Sequence, residues 1–349
     1  AVIEKNKVRR PKNLFTSNAL GDKILIRGSL DEIGEAEYIA LTAEELIKRG
    51  GVGPEEIAVL YRANFQSRVL EEAFMHRGVP YQILGLRFFE RREVKDIISY
   101  LRAALNPQSL ADLKRIVNVP ARGVGKASIA KIFSGDSSLP PAMKAKVAAF
   151  YALLEEIRKC AEGKPLSETI AFIIKTSGLE AGWKEGADDG AERLANAYEL
   201  VSFAARYDLL PPAEATEAFL TDAALQSDQD ELREEVPAVR LMTVHAAKGL
   251  EFDAVFIAGL EEGLFPHERI NEDRLTPEEA EEERRLFYVA LTRARKRVFL
   301  SYAQLRSIYG RQRVNMPSQF ILDIPPELSE EESWNDTGVA PGRKPLLDI

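Results

Sequence analysis

Two kinds of hydrophobic pattern alternate along the chain. From Asp31 to Arg49 apolar side chains recur at Ile33, Ala36, Ile39, Ala40, Ala43, Leu46 and Ile47, one face of a helix that Gly50-Gly51 ends. Lys23 to Arg27 alternates like a short strand, and Ile57-Ala58-Val59-Leu60-Tyr61 is a continuous apolar run, the pattern of a strand buried on both faces of a parallel sheet. A helix is predicted over 67–77, a strand over 81–84 and a helix over 92–105. Beyond Leu110 strand patterns vanish and helices are predicted over 143–161, 166–176, 191–205 and 213–225. The acidic stretch from Asp228 to Glu235, closed by Pro237, reads as a linker. Strands then return at 239–244, 254–257 and 298–302, with a charged helix from Pro277 to Ala294 between the last two.

The predicted class is therefore α/β, a parallel sheet interrupted by an all-helical inserted domain. The expected divisions are a first part over 1–130, the helical insertion over 131–236, a second part over 237–325, and a disordered tail over 326–349, where Pro325-Pro326 and Glu330-Glu331-Glu332 stand.

Charge changes this picture locally. With 47 Lys and Arg against 55 Asp and Glu, the net charge of -8 disfavours a protein that coats nucleic acid through overall positive charge. Yet from Gly85 to Ile132 ten basic residues oppose four acidic ones, and from Arg293 to Arg313 seven basic residues face no acid. Two basic tracks thus lie on an acidic body. One cysteine excludes an internal disulfide, and three histidines without a His-x-x-x-His pair argue against a zinc cluster, so no metal site is expected in this chain. No apolar run reaches the roughly 20 residues of a membrane span, so a soluble, cytoplasmic protein without membrane partners is expected. A phosphate-binding P-loop is absent from the sequence. Its nearest imitation, Gly123-Val124-Gly125-Lys126, has Pro120 for the first glycine and Ala127 for the hydroxyl residue, and reads as a turn before a helix.

Three segments could carry chemistry. Tyr61-Arg62 follows a buried strand, where ligands of α/β sheets bind; a ring beside a guanidinium suits a nucleotide. The bland alternative is that Tyr61 ends a core strand and Arg62 pairs with a nearby Glu. Thr243-Val244-His245-Ala246-Ala247-Lys248-Gly249-Leu250-Glu251-Phe252 again follows a strand, bringing His245, Lys248 and Glu251 onto one short loop. In Glu281 to Ala294 most charge reads as a solvated helix face with i,i+4 pairs. Arg293 differs: it lies at the helix end, towards the strand ends, and a guanidinium there could act as an arginine finger.

Together, "LYRANFQSR", "TVHAAKGLEF" and "YVALTRA" resemble motifs IV, V and VI of the UvrD/PcrA/Rep family of superfamily 1 DNA helicases, in the right order, and "RFFERREVKD" and "PSQF" are similar too. The resemblance implies a second RecA-like, P-loop-NTPase-type domain split by its helical insertion. It implies ATP with Mg2+ held mainly by an N-terminal P-loop domain of the same full-length protein, and a C-terminal fragment that is inactive alone. It implies 3′-to-5′ translocation on single-stranded DNA with duplex unwinding, in repair or replication. Residue by residue, Tyr61 would stack on adenine, Arg62 and Arg293 would meet the γ-phosphate, and Glu251 would hold the ribose. Lys248 and Gly249 would couple nucleotide to the domain interface, and Thr243 and His245 would face the single strand. Tyr309, with Arg306 nearby, would stack on a DNA base, and Arg122, Gly123 and Gly125 match an element near duplex. Repair or replication proteins are possible partners. Two other classes stay open: a non-catalytic DNA- or protein-interaction module of helicase fold, and the helicase part of a RecB/AddA-like helicase-nuclease.

Overall fold

The computed structural model describes residues 2–6, 21–125, 128–129, 131, 140–185, 189–228, 236–267, 275–308 and 311–332. The chain divides into an α/β unit (Ala1–Leu86, Arg233–Arg306, Gln312–Ile349) and a helical unit (Arg87–Leu232, Ser307–Arg311).

In the α/β unit the strands are β1 (Ile24–Asp31), β2 (Ile57–Tyr61), β3 (Tyr81–Ile83), β4 (Val239–Thr243), β5 (Phe252–Ile257), β6 (Ala294–Ile308), β7 (Arg311–Val314) and β8 (Ser329–Glu332). They form one sheet in the order β3-β4-β2-β5-β6-β1-β8, with β7 paired to β6. The pairs along that order run parallel. Every residue of β2 is buried, as its unbroken apolar run demands. Ile57, Val59 and Tyr61 enter one core with Ile39 and Ala43 of α1 (Glu32–Lys48) and Phe74 of α2 (Ser67–His76). Ala58 and Leu60 enter the core on the other face, with Met242, Val255, Phe287 and Phe320.

The helical unit holds α3 (Arg92–Leu105), α4 (Leu110–Ile116), α5 (Pro141–Gly163), α6 (Leu166–Thr176), α7 (Leu179–Glu185), α8 (Gly190–Ala204) and α9 (Pro212–Asp228). Its single core includes Phe88, Ile97, Phe150, Ile170, Phe203 and Phe219. A buried polar bridge crosses it: Arg91 Nη1 donates to Asn196 Oδ1 at 2.8 Å, and Asn196 Nδ2 donates to Glu93 Oε1 at 2.6 Å.

Two expectations need correction. The helical unit begins at Arg87, not near 131, because Phe88 through Val117 pack into its core. The tail is not irregular from 326 onward: Ser329–Glu332 pairs with β1, setting Glu332 beside Arg27. Residues 229–235, inside the expected linker, and 333–349 lie outside the described residues. Among the described residues no helix is long and apolar enough to cross a membrane.

Candidate functional site

The β2 and β4 ends lie side by side, with Tyr61 in register with Thr243 and the Val244 N–H donating to the Tyr61 carbonyl at 2.9 Å. Past Tyr61 the chain turns sharply because Gln66 folds back. Its Oε1 accepts from the N–H groups of Arg62 at 3.1 Å and Ala63 at 2.9 Å. The turn sends Arg62 out of the sheet.

The helix α10 (Pro277–Leu291) receives it. Pro277 at the first helical position and a Thr276–Glu279 capping box set the start of α10. Glu283, Phe287 and Ala290, spaced i, i+4, i+7, form its buried face. Phe287 stacks on Phe320 with ring centroids 5.1 Å apart, which fixes that face against the sheet. Glu283 is consequently only 6% exposed. Arg62 Nε donates to both its oxygens at 3.0 Å, and Arg62 Nη2 donates to Oε1 at 2.6 Å. The backbone N–H of His267 holds Oε2 at 3.0 Å. Arg62 Nη1 makes no hydrogen bond among the described residues, and the side chain remains 19% exposed.

His245 is exposed just beyond β4. The packing around its ring, and then the Arg62 charge, push its imidazole below the ordinary value, while Glu283 and Glu282 pull the other way. Arg62, Thr243, His245 and Glu283 are therefore one neighbourhood at the carboxyl ends of β2 and β4.

Arg293 and Glu251 belong elsewhere. Arg293 Nε donates to the Val289 carbonyl at 3.1 Å, Nη1 to the Leu250 carbonyl at 2.9 Å, and Nη2 to Thr292 Oγ1 at 3.1 Å. The Phe252 N–H donates to the Arg293 carbonyl at 2.9 Å, at the amino-terminal ends of β5 and β6. Because Ile57 pairs with Ala254, this end of the sheet lies about 20 Å below Tyr61 along the strands. Between the two ends run Lys248, Gly249 and Glu251, all exposed; Gly249 has φ +88°, a left-handed conformation that favours glycine.

Three expected contacts are corrected by their surroundings. The Tyr61 ring is 1% exposed within the β2–α2 core, so its faces are closed to an adenine. Arg306 is 3% exposed: Nε donates to Glu261 Oε2 at 2.9 Å, Nη2 to Glu261 Oε1 at 2.6 Å, and Nη2 also reaches Glu35. Burial opposes its charge, but Glu261 and Glu35 push its pKa well above the ordinary value. It is a structural ion, not a DNA contact. Arg122 spends its guanidinium on the carbonyls of Ile116, Val119, Pro120 and Ser177 and on the Tyr100 hydroxyl, stapling the loop.

The glycines beside Arg122 stay accessible in a different sense. Gly123 has φ +69°, a Cβ there would lie 2.8 Å from Lys146 Nζ, and a Cβ on Gly125 would meet nothing within 4 Å. Tyr309 lies outside the described residues. Lys146 and Glu283 were not singled out from the sequence. Glu283 was readable only through its i+4 partner Phe287.

Residues 1–140 and 140–305 match the family described as the UvrD-like helicase C-terminal domain. The chain belongs to that family. The ATP-dependent DNA helicase PcrA of Staphylococcus epidermidis is 39% identical over 356 residues, which cover 95% of this chain and 48% of that protein. DNA helicase II of Haemophilus influenzae is 36% identical over 354 residues, again 95% of this chain and 48% of the relative. The UvrD-like chain thus spans about half the length of the curated relatives it matches.

Proposed function

We propose that this UvrD-like domain is the C-terminal motor half of an ATP-dependent DNA helicase that moves 3′-to-5′ on single-stranded DNA and unwinds duplex in repair or replication. A P-loop domain outside this chain would hold ATP and Mg2+. Arg62 would reach the terminal phosphate as the cleft closes, and Arg293, at the other end of α10, would have to release the Val289 and Leu250 carbonyls and move toward it to act as a second arginine. Glu251 would hold the ribose, Lys248 and Gly249 would transmit closure, and Thr243 and His245 would meet the strand. Tyr309 would stack on a base, worth about 1–3 kcal/mol, and the Gly123–Gly125 loop with Lys146 would approach duplex phosphate.

One observation carries the reading. A guanidinium stands at the carboxyl end of a central parallel strand, braced on one edge and without a hydrogen bond at Nη1 among the described residues. That is where an α/β sheet binds ligands, and it suits a group that must meet transferring phosphate without reorganising. In the full-length protein, Arg62→Ala should lower DNA-stimulated ATP hydrolysis by about 10³-fold or more while ATP binding stays within a few-fold. Undiminished hydrolysis would refute the assignment and favour an interaction module of helicase fold.

A further inference from the structure

We propose that Glu283 is the positioning residue of the nucleotide site: it sets the direction in which Arg62 presents its guanidinium, an inference that rests on Arg62 meeting nucleotide phosphate. The bonding pattern is selective. Glu283 takes the Nε and Nη2 edge of the fork, with contacts of 3.0, 3.0 and 2.6 Å. The Nη1 corner is left unbonded among the described residues, so the end-on edge that a phosphate can use stays open. The carboxylate cannot follow a moving arginine. It sits 6% exposed on the apolar face of α10, its Oε2 pinned by the His267 N–H at 3.0 Å. The helix beneath it is anchored by Phe287 on Phe320.

The contrast with Arg306 shows why this is more than an ion pair in the core. There Glu261 takes the Nε and Nη2 edge, a second carboxylate, Glu35, also takes Nη2, and the guanidinium is 3% exposed, so burial closes it to a ligand. Around Arg62 the groups are arranged to hold one edge and leave the other. The titratable neighbours also respond to this pair: His245 feels Arg62, Glu283 and Glu282. A fixed guanidinium approaches phosphate with its torsions already set, which raises the turnover step more than the affinity of the ground state.

The test is a double-mutant cycle on DNA-stimulated ATP hydrolysis by the full-length protein, using Glu283→Gln, Arg62→Lys and the pair. Gln keeps the length and one acceptor oxygen; Lys keeps the charge but lacks the fork. Glu283→Gln is expected to lower kcat about 10- to 100-fold with KM for ATP within about threefold. In the Arg62→Lys background the same change should cost less than about twofold, and Glu283→Asp should restore part of the loss. An equal loss in both backgrounds, or wild-type kcat in Glu283→Gln, overturns the inference. Thermal unfolding of each protein separates a variant that has not folded, for which Glu283→Asp supplies the cycle. Wild-type hydrolysis in Arg62→Ala alone would instead remove the nucleotide reading, and the inference would fall with it.

Discussion

Two clamped arginines, Arg306 on a strand and Arg62 just past the end of one, have opposite fates. Arg306 stands on β6 and reaches Glu35 of α1 and Glu261 with its fork. Those carboxylates also accept from Ser301 Oγ, the Gly259 N–H and the Ala303 N–H at 2.7, 2.8 and 2.8 Å. Both carboxylates share the one guanidinium and take the rest of their hydrogen bonds from inside the protein. Among the described residues Arg62 has one carboxylate and no hydrogen bond at Nη1, and its side chain reaches solvent. The residue type, the bidentate geometry and the buried carboxylate are shared. What differs is a second carboxylate and solvent access: the Arg306 side chain is 3% exposed and that of Arg62 19%. Sequence alone cannot distinguish the two, since both arginines look equally available until the carboxylates opposite them are known.

The comparison can be broken most forcefully at Arg306. Arg306→Met should destabilise the chain by about 3–5 kcal/mol, because Glu35 and Glu261 would keep their burial and lose their counter-ion; a urea midpoint that barely moves would remove the distinction. Next in size, Arg122→Ala should cost about 2 kcal/mol, since several backbone carbonyls lose a charged donor together. Hydrogen exchange should report it as faster opening of 116–124, and unchanged protection there would leave Arg122 available for another role.

The smallest effect sharpens the Arg62 side. Removing the positive charge by Arg62→Ala should raise the His245 pKa towards the ordinary imidazole value, whereas Glu283→Gln should lower it further, both read by NMR titration. The folded state disfavours the imidazolium, so this group costs stability as pH falls from the ordinary value through the depressed one. A His245 titration indifferent to both variants would separate it from the pair.

Much of the fold was legible because burial leaves a mark in composition. The apolar run of β2, the helical spacing of α1 and the bounds of α3 and α6 agree with the structure to within a residue or so. The short helices α4 and α7 carry too few turns to show a period. The strand β8 escaped because its Ser-Glu-Glu-Glu sequence has no apolar side to show; backbone pairing with β1 and the charge of Arg27 opposite Glu332 define it. At the site, the plain alternative for Tyr61 and Arg62 described what the structure contains, a ring closing a core strand and a guanidinium paired with Glu. The identity of that Glu was hidden, because 281–285 reads as a solvated charge run unless the spacing to Phe287 and Ala290 is weighed above the charge.

The strand order has a consequence for how the molecule is made. The strands β1, β2 and β3 have no neighbours among themselves; each pairs with strands drawn from Val239 onward. A ribosome building the chain must therefore add roughly 150 residues after Ile83 before the first sheet hydrogen bond can close. At translation rates of about 5–20 residues per second, the apolar β2 segment waits unpaired for on the order of 10–30 s. The helices α3 to α9, all contained between Arg92 and Asp228 and rich in local contacts, can fold during that interval. Through that interval Ile57–Tyr61 stays an apolar, unpaired strand, the segment of the sheet most exposed to wrong pairing.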